Sequence, residues 1–151
     1  MGDPHALPAT APSRVRDRPS WLIGRAYARS SALLNERFEA NGAGLRGYHY
    51  RLLAALDEWG RASQIELGRS TGIDRSDVTG ALDELDAQGL VRRAVDPADR
   101  RRNIVSITAA GRRRLAMLDK IVAGVQDELL AALSAAERRQ FVALLRRVGE
   151  Q

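Results

Sequence analysis

The 151-residue chain contains no cysteine, which excludes disulfide staples, thiolate zinc sites and thiol-based redox sensing. It has only two histidines, His5 and His49, too few for a multi-histidine metal site, so neither metal nor cofactor is expected. Lysine is nearly absent, with Lys120 alone, and the positive charge is therefore almost wholly arginine. No stretch approaches the roughly 18 uninterrupted apolar residues of a membrane span. The first residues lack the apolar core of a signal peptide. These absences lead us to expect a soluble cytoplasmic protein with no membrane partner.

What is present is aliphatic and basic. Apolar residues make up 44% of the chain, enough for one domain or two small packed units, and the net charge of +5 favours an anionic partner. Residues 1–19 hold four of the five prolines and read as a mobile tail. Residues 20–60 read as two helices. Ile23, Tyr27, Ser30, Leu34 and Phe38 share one face of the first, and Leu45, His49, Leu52, Leu53 and Leu56 share one face of the second, stopped by Gly60. Ser63 and Glu66 form a capping box for a short helix that ends before Gly72. Asp74 is placed to cap the next helix, over 75–88, which Gly89 ends. "LVRRAV" and "NIVSIT" alternate around the turn "DPADR" and predict a hairpin. Thr108 is placed to cap a long helix to about residue 132, and Ser134 with Glu137 opens a last one.

Two helices joined by a glycine turn and followed by a basic hairpin describe a winged helix-turn-helix over residues 61–108, within a mainly α (α+β) chain carrying one small sheet. On the 75–88 helix, Val78, Leu82 and Leu85 must face the core. The opposite face carries Ser76, Gly80 and Asp83, flanked by Arg75 and Thr79, a set suited to reading base edges. Asp83 weighs against insertion into a groove unless it orients a neighbouring arginine. In the hairpin, Arg92, Arg93, Arg100, Arg101 and Arg102 outnumber Asp96 and Asp99. Arginines in such a projection suit phosphates and a narrow minor groove.

The stretch Asp99, Arg101, Val105, Ile107 and Thr108, within "DRRRNIVSIT", resembles the D-x-R-x-x-x-V-x-L-T signature of MarR-type (multiple antibiotic resistance) regulators, with isoleucine for leucine at 107. "SQIELGRSTGIDRSDVTGALDELDAQGLVRR" is similar to that family's helix-turn-helix, and the resemblance runs over about residues 20–148. It implies a homodimeric repressor on a palindromic double-stranded DNA operator, with intertwined terminal helices. Arg101 would enter the minor groove and Asp99 would orient it, between Arg100 and Arg102. Arg75, Ser76 and Thr79 match the base-contacting segment. Ser63 and Gln64, at the start of the preceding helix, would contact phosphate through side chains and helix-end amides.

A dimer is also expected from the apolar faces of the terminal helices, 109–151, which exceed what a small winged domain covers. Leu115, Leu118, Val122, Val125 and Leu129 step by three and four, and Phe141 and Leu145 share a face of the last helix. Packing of these faces on the first two helices of the same chain is the alternative. The run Arg112 to Arg114 places cations in a first helical turn, where the macrodipole disfavours them unless an anion lies near. Family members often bind an aromatic or phenolic anion between the dimer helices and the winged domain. Trp21, Arg25, Tyr48, His49, Tyr50 and Arg51 are the candidate effector contacts. Against that, Tyr48 and Trp59 share a helical face that suits the core, and His49 sits among leucines.

Nothing in the sequence arranges a nucleophile with a base, a glycine-rich phosphate loop or a metal cluster, so an enzyme is not expected. An architectural DNA binder or a protein-interaction module on the same scaffold are the remaining alternatives.

Overall fold

Local capping chemistry sets the start of three helices in the computed structural model, which describes residues 11–150. Seven helices and three strands follow in the order α1 (Ser13–Arg16), α2 (Pro19–Asn41), α3 (Gly47–Trp59), β1 (Arg61–Ser63), α4 (Gln64–Thr71), α5 (Arg75–Ala87), β2 (Val91–Val95), β3 (Asn103–Ile107), α6 (Ala109–Leu129) and α7 (Ala135–Gly149). Both expected capping boxes form. Ser63 Oγ accepts from the Glu66 amide and Ser134 Oγ from the Glu137 amide, while each glutamate side chain accepts from its serine's backbone N–H. Those bonds hold the Glu66 and Glu137 carboxyls below the usual carboxylate range. Thr108 caps α6 by accepting from the Gly111 amide. Asp74 occupies the N-cap position of α5, but its side chain makes no capping bond. Gly72 turns α4 into α5 with φ +66°, a left-handed conformation that glycine adopts without a Cβ clash.

The sheet is antiparallel with order β1-β3-β2, so β3 is central. Ala62 pairs with Val105, and Arg93 pairs with Val105 from the other side. The core lies between this sheet and α3, α4, α5 and the first half of α6. Leu52, Leu53, Leu56, Leu67, Leu82, Leu85, Val105 and Leu118 are all fully enclosed. Burying one such side chain stabilises the fold by about 1.5–3 kcal/mol. No helix among the described residues is long and apolar enough to cross a membrane.

The structure departs from the sequence reading at several points. Residues 1–10 of the supposed tail lie outside the described residues, and Ser13–Arg16 forms a helical turn within the remainder. The three-residue strand β1 was not expected. The seam of α6 is divided: Leu115, Leu118 and Val125 are buried within this chain, with Val122 half-buried, because α6 packs along α2 and α3. Leu115, Leu118 and Val125 are therefore core residues, not free dimer contacts. Trp59 is 46% exposed, at the open end of α3, rather than in the core.

Two regions remain uncovered. Residues 21–29 of α2 are all exposed, including Trp21, Leu22, Ile23 and Tyr27. Helix α7 has no buried residue, with Val142, Leu144, Leu145 and Val148 exposed and Phe141 half-buried. One cation of the arginine run at the start of α6 has an acidic neighbour. Arg112 pairs with Asp57 of α3 at 3.0 Å, and Arg114 donates to Gln88.

Candidate nucleic-acid interface

The recognition helix α5 is held from both flanks by its own carboxylates. Its buried side is Val78, Ala81, Leu82 and Leu85. On one flank Arg93 of β2 pairs with Asp83 at 2.7 Å and with Asp86 at 3.1 Å. On the other, Glu84 Oε2 lies 2.6 Å from Nε2 of His49 in α3. Asp83, which counted against groove insertion, is thus partly neutralised by the wing, and Arg93 is committed to α5 rather than to a ligand. The signal for that pairing, Asp83 and Asp86 three apart with an arginine in the next strand, is visible in the sequence only once β2 is placed beside α5.

His49 has both ring nitrogens engaged. Nδ1 accepts from the Arg46 amide at 2.9 Å, so Nε2 carries the proton and donates to Glu84. The ring is fully buried and tilted against Tyr48, with centroids 4.4 Å apart. It is a structural histidine rather than an effector contact, since neither ring nitrogen is free. Burial lowers its pKa below the ordinary histidine value, although Glu84 opposes the shift. The unfolded chain, titrating near pH 6.5, therefore takes up a proton that the folded chain refuses. The stabilisation is complete above about pH 6.5 and declines as pH falls toward the lower folded value. Urea midpoints at about pH 7.5 and about pH 5.5 should show wild type losing stability over that interval and His49→Gln losing less. An equal loss in both would remove His49 from the account.

The wing tip is built by aspartates. Asp96 Oδ1 accepts from the Ala98 amide, and Asp99 Oδ1 accepts from the Arg101 amide at 3.0 Å and from its Nε at 3.2 Å. Arg101 is held at its base while its side chain stays 91% exposed. Arg100 and Arg92 are exposed, and Arg102 leans toward Glu66 at 3.9 Å. Between wing and α4–α5 lies an open cleft of about 560 Å³, lined in part by Gln64, Arg69, Arg75, Arg101 and Arg102. Four guanidinium groups from three elements converge on one concavity, an arrangement suited to a polyanion.

Most of the expected reading residues fall on this surface. Arg75, Ser76 and Thr79 are exposed, and Gln64 Nε2 donates to Thr79 Oγ1 at 2.7 Å, joining α4 to α5. Ser63 is the exception. Its side chain is only 1% exposed and its hydroxyl is occupied by the cap, so it cannot present that hydroxyl to phosphate. The strand β1 explains this, since pairing with Ile104 turns Ser63 inward. Arg69, which also lines the cleft, was not among the expected contacts.

The effector candidates are not gathered by the single chain. Trp21 and Arg25 lie one turn apart on the exposed half of α2, and Arg51 donates to the Thr71 carbonyl at 3.1 Å. Tyr48 is half-buried, and the Tyr50 hydroxyl donates to Asp119 of α6. A second cleft, of about 200 Å³ between α2 and α6, is lined by Arg37, Lys120 and Glu128 among others, and by none of these candidates.

Comparison with known proteins agrees with this geometry. Residues 43–102 match the sequence model of the MarR family. The chain is 30% identical over 137 residues to the HTH-type transcriptional repressor NicR of Pseudomonas putida, covering 91% of this chain and 85% of that protein. It superposes on the crystal structure of a probable transcriptional regulator from Pseudomonas aeruginosa with a TM-score of 0.75 at 33% identity, over 87% of this chain and 97% of that one. It also superposes on BpsR of Bordetella bronchiseptica, whose DNA binding is regulated by 6-hydroxynicotinic acid, with a TM-score of 0.80 at 28% identity, over 93% and 99% of the two chains. With the winged helix-turn-helix, the clamped recognition helix and the aspartate-held wing arginine in place, these matches settle the assignment: the chain belongs to the MarR family of winged helix-turn-helix transcriptional regulators.

Proposed function

We propose that the protein is a homodimeric, cytoplasmic, sequence-specific DNA-binding repressor rather than an enzyme, and that an aromatic acid releases it from its operator. Residues 61–108 read DNA, while 20–60 and 109–151 supply scaffold and dimer contacts. The observation that carries this reading is Arg101, exposed on the wing yet fixed at its base by Asp99, beside a cleft lined by three further arginines. Salt titration of duplex binding tests it. Neutralised phosphates make log K fall linearly with log salt, by about 0.9 per contact. A steep slope is expected, and absence of binding at low salt contradicts the proposal.

The dimer is supported by the uncovered apolar faces of α2 and α7, which no other element among the described residues shields. Phe141, Leu144, Leu145 and Val148 form that interface in this reading, together with Leu129, half-buried at the end of α6. Leu145→Glu places a charge on that face and should shift the protein to monomer in sedimentation equilibrium, with unchanged helix content. A variant that stays dimeric places the interface elsewhere.

The effector class is supported by BpsR, whose regulator, 6-hydroxynicotinic acid, is an aromatic carboxylic acid. Trp21, Arg25, Tyr48 and Arg51 remain as its contacts here. A ring stacked on the aromatics and a carboxylate paired with an arginine is the chemistry those side chains offer.

A further inference from the structure

We infer that Gly80 is a specificity-determining residue: the missing side chain at the centre of the outward face of α5 leaves the space that an operator base edge fills. The inference rests on the DNA-binding reading above. Glycine is the poorest helix former after proline, so one in mid-helix needs a reason. Packing supplies such a reason elsewhere in this chain. A Cβ at Gly111 would lie 2.1 Å from the Leu90 carbonyl oxygen, and one at Gly42 would lie 2.5 Å from that of Phe38. At Gly80 a Cβ would meet nothing within 4 Å. Nor does the backbone need glycine there, since Gly80 is not among the residues of positive φ. Nothing inside the chain accounts for it.

Its direction does. At 100° per residue, Gly80 points roughly 150° away from the mean direction of Val78, Ala81, Leu82 and Leu85. It therefore sits almost opposite the core, one turn after Ser76, on the ridge that leads into a groove. The bulkier polar groups, Arg75 and Thr79, stand to one side of that ridge, with Gln64 bonded to Thr79. Asp83, the next residue along the ridge, is drawn back to Arg93. The helix thus presents bare backbone where it approaches most closely and hydrogen-bonding side chains beside it. A methyl group at Gly80 would hold the helix off the base edges without disturbing any contact in the protein. Gly24 and Gly124 are also open, but they stand on α2 and α6, away from the wing and the reading residues.

The test compares wild type with Gly80→Ala in thermal stability and in binding two probes. One is the duplex that wild type enriches most from a random pool; the other is a random-sequence duplex of equal length. The variant should melt at or above the wild-type temperature. Its affinity for the enriched duplex should fall at least tenfold, while its affinity for the random duplex stays unchanged, because phosphate contacts are untouched. Selection with the variant should return a motif altered in the half-site. Equal affinity for the enriched duplex and an identical motif overturn the inference while leaving the DNA-binding reading intact. If wild type itself enriches no duplex, both fall.

Discussion

Replacing Arg101 by alanine should lower affinity for the operator by about 1–3 kcal/mol per half-site, roughly 5- to 150-fold, with no loss of fold. The separation of the two effects follows from the geometry. The Arg101 side chain is 91% exposed and bonds to the exposed carboxylate of Asp99, so its removal opens no cavity and strands no buried group. Surface substitutions of that kind stay within about 0.5 kcal/mol in stability. Binding is different, because a preset guanidinium at the tip of a wing loses little freedom on entering a groove. Asp99→Ala should give a smaller loss, since it frees the arginine without removing it. Anisotropy titrations, with melting curves for each variant, check both points. An Arg101→Ala protein with wild-type affinity removes the wing from the interface.

The largest effect on stability is expected at Gly111. This residue is buried in the first turn of α6, where its absent Cβ lets the helix lie against the base of the hairpin. An added Cβ would fall 2.1 Å from the Leu90 oxygen and 2.7 Å from Ile107 Cγ1. The Leu90 carbonyl cannot retreat freely, since it accepts from the Thr108 amide, while the Thr108 hydroxyl donates to Gly89. Gly111→Ala must therefore push α6 off the wing. Overpacking costs about 1–3 kcal/mol, and each strained hydrogen bond about 1 kcal/mol more. A total near 3 kcal/mol corresponds to a fall of about 6–12 °C in Tm for a chain of this size. DNA affinity should fall with it, because the wing is anchored through that contact. The contrast with Gly80→Ala is the useful one: two helical glycines, opposite signs for stability, each read from what surrounds the missing atom. A Gly111→Ala protein as stable as wild type would show that α6 does not pack on the hairpin as described.

What could be read from the sequence was what local chemistry encodes. Ser63 with Glu66, Ser134 with Glu137, and Thr108 announce helix starts because caps act over three residues. The alternation in "NIVSIT" and the Asp99–Arg101 pair likewise need no knowledge of the rest of the chain. The misses share the opposite character. Strand β1 is three residues long, too short for any periodicity, and exists because β3 offers a free edge. Its pairing buries Ser63, which is why the supposed phosphate contact is a structural cap. Leu115, Leu118 and Val125 have the spacing of a dimer seam, and spacing cannot say which partner fills it. Here α2 and α3 of the same chain do, leaving α7 and the first half of α2 uncovered. Likewise, the sequence shows Asp83 as a negative charge on the reading face, and only the fold brings Arg93 to it.

As a symmetric pair, this surface would read one specific sequence. Selection of bound duplexes from a random pool by the full chain tests it most directly. An enriched palindrome is expected, with half-sites about one helical turn apart, about 10–10.5 base pairs centre to centre. Retention of duplexes without any shared motif would contradict it and leave an architectural DNA binder in its place.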